Sequence, residues 1–155
     1  MRARLNDDIK AAMKAGEKRR LATLRLITAA IKDRDLSAHV DEQGEPTGRD
    51  KISDQDILAL LQKMIKQRRE SIEIYRKGGR DELADQEVEE IAVIEGYLPR
   101  QMNEEEMTRA VTGAVKELNA KGLKDMGRVM AALKERFTGT MDFGKASAIL
   151  KEALK

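Results

Sequence analysis

From Asp54 to Lys77 the chain reads DQDILALLQKMIKQRRESIEIYRK, with no Gly and no Pro. Ile57, Leu61, Met64, Ile65, Ile72 and Tyr75 recur at steps of three and four. That spacing puts them on one face of a helix of about six turns. Lys63, Lys66, Arg69, Arg76 and Lys77 fall on the opposite face. Arg68 breaks the pattern: at roughly 100° per residue it lies inside the apolar stripe, between Met64, Ile65 and Ile72. A stripe this wide must be buried against other helices, because an isolated helix is marginal in water. A structural role is expected for Arg68, either snorkelling or paired with a carboxylate.

The same periodicity predicts six more helices. Leu5, Ile9, Ala12 and Met13 mark a short first one, with Asn6, Asp7 and Asp8 suited to its first turn and Gly16 to its end. A second runs from about Lys18 to Arg34, with Leu21, Leu24, Ile27, Thr28 and Ile31 inward. Residues 36–52 are polar and rich in breakers, a loop without the alternating strands a hairpin needs. Ser53 or Asp54 then caps the central helix. Lys77-Gly78-Gly79-Arg80 reverses the chain into the acid-rich helix 81–95, with Leu83, Ala84, Val88, Ile91 and Ala92 inward. An antiparallel hairpin would lay this acidic helix beside the basic one and offer Arg68 a partner among Glu87, Glu90 and Glu95.

Pro99 keeps Leu98 out of the helical region, and the domain boundary is expected there. Asn103 with Glu106 forms a capping pair. The helix it opens carries Met107, Ala110, Val111, Ala114, Val115 and Leu118 inward, and Lys121-Gly122 ends it. Asp125 caps the next, whose core is Met126, Val129, Met130, Leu133 and Phe137, and Thr138-Gly139 ends that one. Asp142 caps the last, with Ala146, Ile149, Leu150, Ala153 and Leu154 inward. The expected fold class is all-α: an N-terminal helical bundle over 1–98, then a small trihelical domain over 99–155.

Composition narrows the chemistry. Cysteine is absent from the 155 residues, which removes disulfides, thiolate metal sites and a cysteine nucleophile, and suits a reducing, cytoplasmic setting. No apolar run approaches a membrane span, and the N-terminus lacks a signal-peptide segment. The net charge of +2 hides an alternation: segments 1–34, 35–56, 57–80, 81–106 and 107–155 carry +6, −5, +5, −9 and +5. Packed neighbours would neutralise one another, so a nucleic-acid site must be a local patch. The single histidine, His39, has no second His or Cys to share a metal with. The carboxylates of 81–95 lack a Gly-turned ligand loop and read as a solvated, ion-paired face. No Ser-Lys amidase signature, Gly-rich phosphate loop or His/Cys cluster is present, so no catalytic residue, metal or cofactor is expected.

One patch has suitable chemistry for RNA. Met126, Gly127 and Arg128 form a first helical turn, where free N–H groups and the helix dipole favour phosphate. Lys121, Lys124, Lys134, Arg136 and Lys145 surround it. Gly127 would let a backbone approach closely, or would only permit tight helix packing. A secondary basic track is Lys18, Arg25 and Lys32, spaced by sevens and so about 10 Å apart along one side of a helix. A solvated flank is the stronger reading of these three. Only Tyr75, Tyr97, Phe137 and Phe143 are aromatic, too few for stacking on single-stranded bases, so shape and phosphate recognition of a folded RNA fits better.

The chain resembles the YqeY family, and its C-terminal part is similar to the tail domain of GatB, a subunit of the glutamine-dependent tRNA amidotransferase. The carriers are Leu24-Arg25-Leu26-Ile27 with Ala29-Ala30-Ile31-Lys32, then Lys66-Gln67-Arg68-Arg69-Glu70-Ser71 with Tyr75. After these come Glu87 to Ile91, Tyr97-Leu98-Pro99, and Asp125-Met126-Gly127-Arg128-Val129-Met130. The resemblance covers nearly the whole chain. It implies two helical domains, the second being the tail that in the amidotransferase helps hold the tRNA body. That enzyme is a carbon–nitrogen ligase, but its chemistry lies in parts this chain does not contain. The implied function is a non-catalytic tRNA-binding accessory protein, with an aminoacyl-tRNA synthetase or amidotransferase component as further partner. A helical adaptor that docks such a protein partner is the alternative. One turn departs from the family pattern of Gly, basic, small, Asp, Gly: it reads Gly139-Thr140-Met141-Asp142-Phe143-Gly144, which weakens any phosphate grip there.

Overall fold

The computed structural model describes residues 1–48 and 51–155. Among them are seven α-helices: α1 (Arg2–Ala15), α2 (Lys18–Ala38), α3 (Asp54–Lys77), α4 (Asp81–Glu95), α5 (Glu104–Glu117), α6 (Met126–Phe137) and α7 (Phe143–Ala153). A 3₁₀ turn, Leu123–Asp125, leads into α6. The chain is all-α and divides into two compact units, Met1–Leu98 and Pro99–Lys155, each with its own apolar cluster.

In the first unit α3 and α4 form the main hairpin, α1 packs on α2, and α2 packs on α4 and more lightly on α3. The Ser53 hydroxyl accepts from Asp56 N–H and the Asp56 carboxylate accepts from Ser53 N–H, a reciprocal cap that starts α3. Gly79, at φ +72°, makes the reversal into α4. Ile57, Leu60, Leu61, Met64 and Ile65 are the buried face of α3, while Ile72 and Tyr75 are half-buried.

The inward face of α4 differs from the expected one. Ala84, Ile91 and Ile94 are buried, whereas Leu83, Val88 and Ala92 are exposed. Ala84, Ile91 and Ile94 share one face with Glu87 and Glu90, which meet Arg68 of α3, and Val88 and Ala92 lie away from that face.

The α1 boundary also differs. The helix starts at Arg2, so Asn6, Asp7 and Asp8 lie beyond its first turn, and Met13 is exposed beside Arg25. Arg2 anchors the start by donating twice to Asp35, at 2.8 Å each, and once to Ile52 O at 3.0 Å. Ile52 N–H donates to the same carboxylate at 2.8 Å, so Asp35 ties α1 to both ends of the α2–α3 connection. That connection begins after Ala38, and its positions 49 and 50 lie outside the described residues. It contains an antiparallel bridge, Val40 to Pro46, despite the missing strand pattern, because the Asp41 carboxylate gathers the N–H groups of Gln43 and Glu45.

The Arg2 hydrogen bonds, then the Ile52 N–H, hold the Asp35 carboxyl down at about 2. A depressed carboxylate lends stability that is full above its unfolded value near ~4 and lost as pH falls through the folded value. Asp35→Asn is therefore expected to lower the melting temperature at neutral pH. The gap from wild type should close as melts are repeated from about pH 5 towards pH 2.

Tyr97 closes the first unit. Its hydroxyl donates to Asp8, the Arg4 guanidinium stacks 4.6 Å from its ring centre, and Arg4 donates to Gly96 O at 2.9 Å.

In the second unit α5, α6 and α7 pack on one another around Met107, Val111, Val129, Leu133, Ala146 and Leu150. The Asn103–Glu106 capping box opens α5. The helix ends at Glu117, where Asn119 at φ +52° supplies the left-handed residue; the Lys121-Gly122 terminator lies past it. Of the two residues expected inward at the end of α7, Leu154 is buried and Ala153 is exposed. Gly113 sits exposed in the middle of α5, with open space where a Cβ would lie. Gly113→Ala is expected to stabilise this unit by about 0.5–1 kcal/mol, read as a raised melting temperature.

Candidate nucleic-acid interface

Residues 118–134 hold four cations, Lys121, Lys124, Arg128 and Lys134, against one acid, Asp125. The local fold decides which cations stay available. After Asn119 the chain turns, and the 3₁₀ turn runs straight into α6. Asp125 does not cap α6 with its side chain, because its backbone is already helical. Its carboxylate accepts from Lys121 N–H at 2.9 Å and meets the Arg128 guanidinium at 3.3 Å. The Lys121 N–H, helped by Arg128, pulls the Asp125 carboxyl below its ordinary range.

This corrects two expectations. Met126 N–H is taken by Leu123 O of the 3₁₀ turn, so the start of α6 is not an open row of donors. Arg128 is committed to Asp125 and to Leu118 O, the latter at 2.9 Å. Arg136 is likewise held by Glu117 at 2.7 and 3.0 Å. Lys121, Lys124, Lys134 and Lys145 are exposed and have no carboxylate partner among the described residues. Gly127 is exposed, and a Cβ there would meet nothing within 4 Å, so tight helix packing does not account for it. Met126 is half-buried against the apolar cluster.

The departed turn is structural. Met102 N–H donates to Thr140 O at 2.8 Å, Gln101 Nε2 donates to Gly139 O at 2.6 Å, and Thr140 Oγ1 donates to Phe137 O at 3.0 Å. Met141 is fully buried, and Phe143 packs against the same cluster. Asp142 Oδ1 accepts from Gly144 and Lys145 N–H at 3.0 and 3.2 Å, which occupies the start of α7.

In the first unit Lys18, Arg25 and Lys32 are exposed along α2 without a carboxylate partner among the described residues. Arg25 donates to the Met13 sulfur at 3.7 Å. Arg68 is enclosed, its side chain 14% exposed. Its Nε donates to Glu90 Oε2 at 2.9 Å and lies 3.8 Å from Glu87, and its Nη1 donates to Met64 O at 3.2 Å. Glu95 pairs instead with Arg69 at 3.3 Å. Burial first, then the adjacent Glu90, raises the Glu87 carboxyl above its usual range. Sequence reading missed the Arg2–Asp35 and Tyr97–Asp8 ties; no periodicity marks a pair 33 or 89 residues apart.

The chain is similar to fungal proteins that share the name Altered inheritance of mitochondria protein 41, mitochondrial. The one from Pyrenophora tritici-repentis is 31% identical over 140 residues, 86% of this chain and 71% of that protein. Its namesake in Eremothecium gossypii is 32% identical over 96 residues, 62% of this chain and 48% of the relative. That of Lachancea thermotolerans is 34% identical over 96 residues, 62% and 46% respectively. The chain spans about half the length of these last two. Among the described residues no helix is long and apolar enough to cross a membrane. The family model for Yqey-like proteins matches residues 2–154. With a match from end to end of the helical array, the chain belongs to the YqeY family.

Proposed function

We propose that this protein is a non-catalytic accessory factor that binds folded RNA, with tRNA as its ligand, through residues 121–134. One observation carries the reading. Lys121 and Lys124 flank an open turn beside the bare face of Gly127, while Asp125, the one acid of the stretch, is consumed by internal hydrogen bonds. The ammonium groups are thus left to external phosphates, and the exposed Lys134 and Lys145 are further candidate contacts. Arg128 acts here by holding the turn. Cations of this kind set orientation on a phosphate backbone without reading sequence. Its setting in this reading is the cytoplasm, which the cysteine-free composition suits. An aminoacyl-tRNA synthetase or amidotransferase component is the class of protein it would work beside.

The test is retention of bulk tRNA by the purified chain against an RNA duplex and a homopolymer at equal nucleotide concentration. The reading expects tRNA to be held preferentially. Equal retention of all three, or of none, removes it in favour of an adaptor that binds protein.

A further inference from the structure

We propose that the groove between α2 and α3 is a docking site for an acidic amphipathic helix of a protein partner. The two helices pack lightly and leave a groove of 360 Å³. Leu60 and Met64 of α3 and Ala30 of α2 give it an apolar lining, and Leu26 of α2 lines it while 47% exposed. On α3, Leu60, Met64, Gln67, Ser71 and Ile74 follow at alternating steps of four and three. They form one strip of about 21 Å, long enough for a partner helix of about four turns. Ile74, at its far end, is 68% exposed. A lone exposed apolar residue needs no explanation, but Leu26 at the groove and Ile74 in line with its α3 wall together mark a surface that another molecule covers.

The charge at the groove selects the occupant. Arg34 and Lys63 line it without a carboxylate partner among the described residues, against one lining acid, Asp33; Arg68 also reaches the groove but is committed to Glu90. The other flank of α3 shows what such a surface accepts. There acid-rich α4 lies along the helix, and Arg68, Arg69 and Arg76 take carboxylates from Glu90, Glu95 and Asp85. The groove flank offers the same kinds of side chain, apolar Leu26, Leu60 and Met64 beside the cations Arg34 and Lys63, and among the described residues no carboxylate meets those two cations. A helix with apolar residues at i, i+3 and i+7 and Asp or Glu beside them satisfies both halves of the surface. RNA fits less well: Leu26, Ala30, Leu60 and Met64 make an apolar floor, and no aromatic ring among the lining residues could stack on a base.

The test uses the full isotope-labelled chain and a designed helical peptide of about 14 residues, with Leu at the apolar positions and Glu on both flanks. Saturable chemical-shift changes centred on Leu26, Leu60 and Met64 are expected, with none from a scrambled peptide of the same composition. Leu26→Asp should weaken binding at least about tenfold, equivalent to ~1.4 kcal/mol. Lys63→Glu should weaken the acidic peptide and improve binding of a Lys-for-Glu version. Both variants should melt as wild type does, since the altered side chains are solvent-facing. Equal binding of the scrambled peptide, indifference to Leu26→Asp, or shifts confined to another face would overturn the proposal. Perturbation of the groove residues by tRNA but not by the peptide would also overturn it, and would move RNA to this surface.

Discussion

Replacing Arg68 by Ala is expected to destabilise the 1–98 unit by about 3 kcal/mol. The expected loss comes less from the missing ion pair than from what remains. Glu90, 18% exposed, keeps its place against α3, and Glu87 already carries a desolvation penalty that the Arg68 charge, 3.8 Å away, only partly offsets. Removing the guanidinium leaves two carboxylates facing an apolar stripe with no cation between them. Met64 O also loses the Arg68 donor. For a unit of this size the melting temperature should fall by roughly 12–24 °C. Arg68→Met should cost clearly less, because it refills the stripe with apolar volume. Thermal melts of both variants are the check. An unchanged melting temperature for Arg68→Ala would mean that the side chain is solvated and free to meet a ligand.

Met141→Ala is expected to destabilise the second unit by about 3 kcal/mol, since Met-to-Ala changes at well-packed sites cost ~2–5. Met141 is fully buried although it lies in the short turn between α6 and α7. It closes the cluster that holds Leu133 and Leu150. A unit this small has little stability to lose. Amide exchange should therefore accelerate across 99–155 while residues 1–98 keep their protection. If both halves lose protection together, the chain unfolds as one cooperative body and the boundary at Pro99 is not a folding boundary.

Local chemistry made some of this legible and tertiary context hid the rest. The bounds of α3 could be read because Ser53 and Asp56 form a cap and Gly78-Gly79 stops the helix, all within the local chain. The inward face of α4 was harder to read, because its apolar residues Ala84, Ile91 and Ile94 share it with Glu87 and Glu90, which meet Arg68 of another helix. Asn119 went unread as a terminator because Gly122, three residues on, is the commoner choice for a left-handed position. Met141 looked like one residue of a phosphate-gripping turn; only the packing of three helices shows it as core. In the candidate interface, the exposure of Lys121 and Lys124 followed from their turn context. The loss of Arg128 to Asp125 and Leu118 O did not, because Asp125 reads from sequence as a helix cap.

The central claim is that uncommitted lysines of the second unit contact tRNA phosphates, and the salt dependence of binding tests it most directly. The slope of log K against log salt should be measured for wild type, for Lys121→Ala with Lys124→Ala, and for Lys18→Ala, Arg25→Ala and Lys32→Ala combined. Each lost phosphate contact flattens the slope by about one unit. The double variant should lose about two units, Arg128→Ala alone should lose less than one, and the α2 variant should keep the wild-type slope. The lysine and α2 variants should fold normally, since surface changes usually move stability by less than about 0.5 kcal/mol each, whereas Arg128→Ala also removes two ties of the turn. A double variant with the wild-type slope beside an α2 variant that no longer binds would contradict the account, and so would tRNA binding by wild type that does not respond to salt.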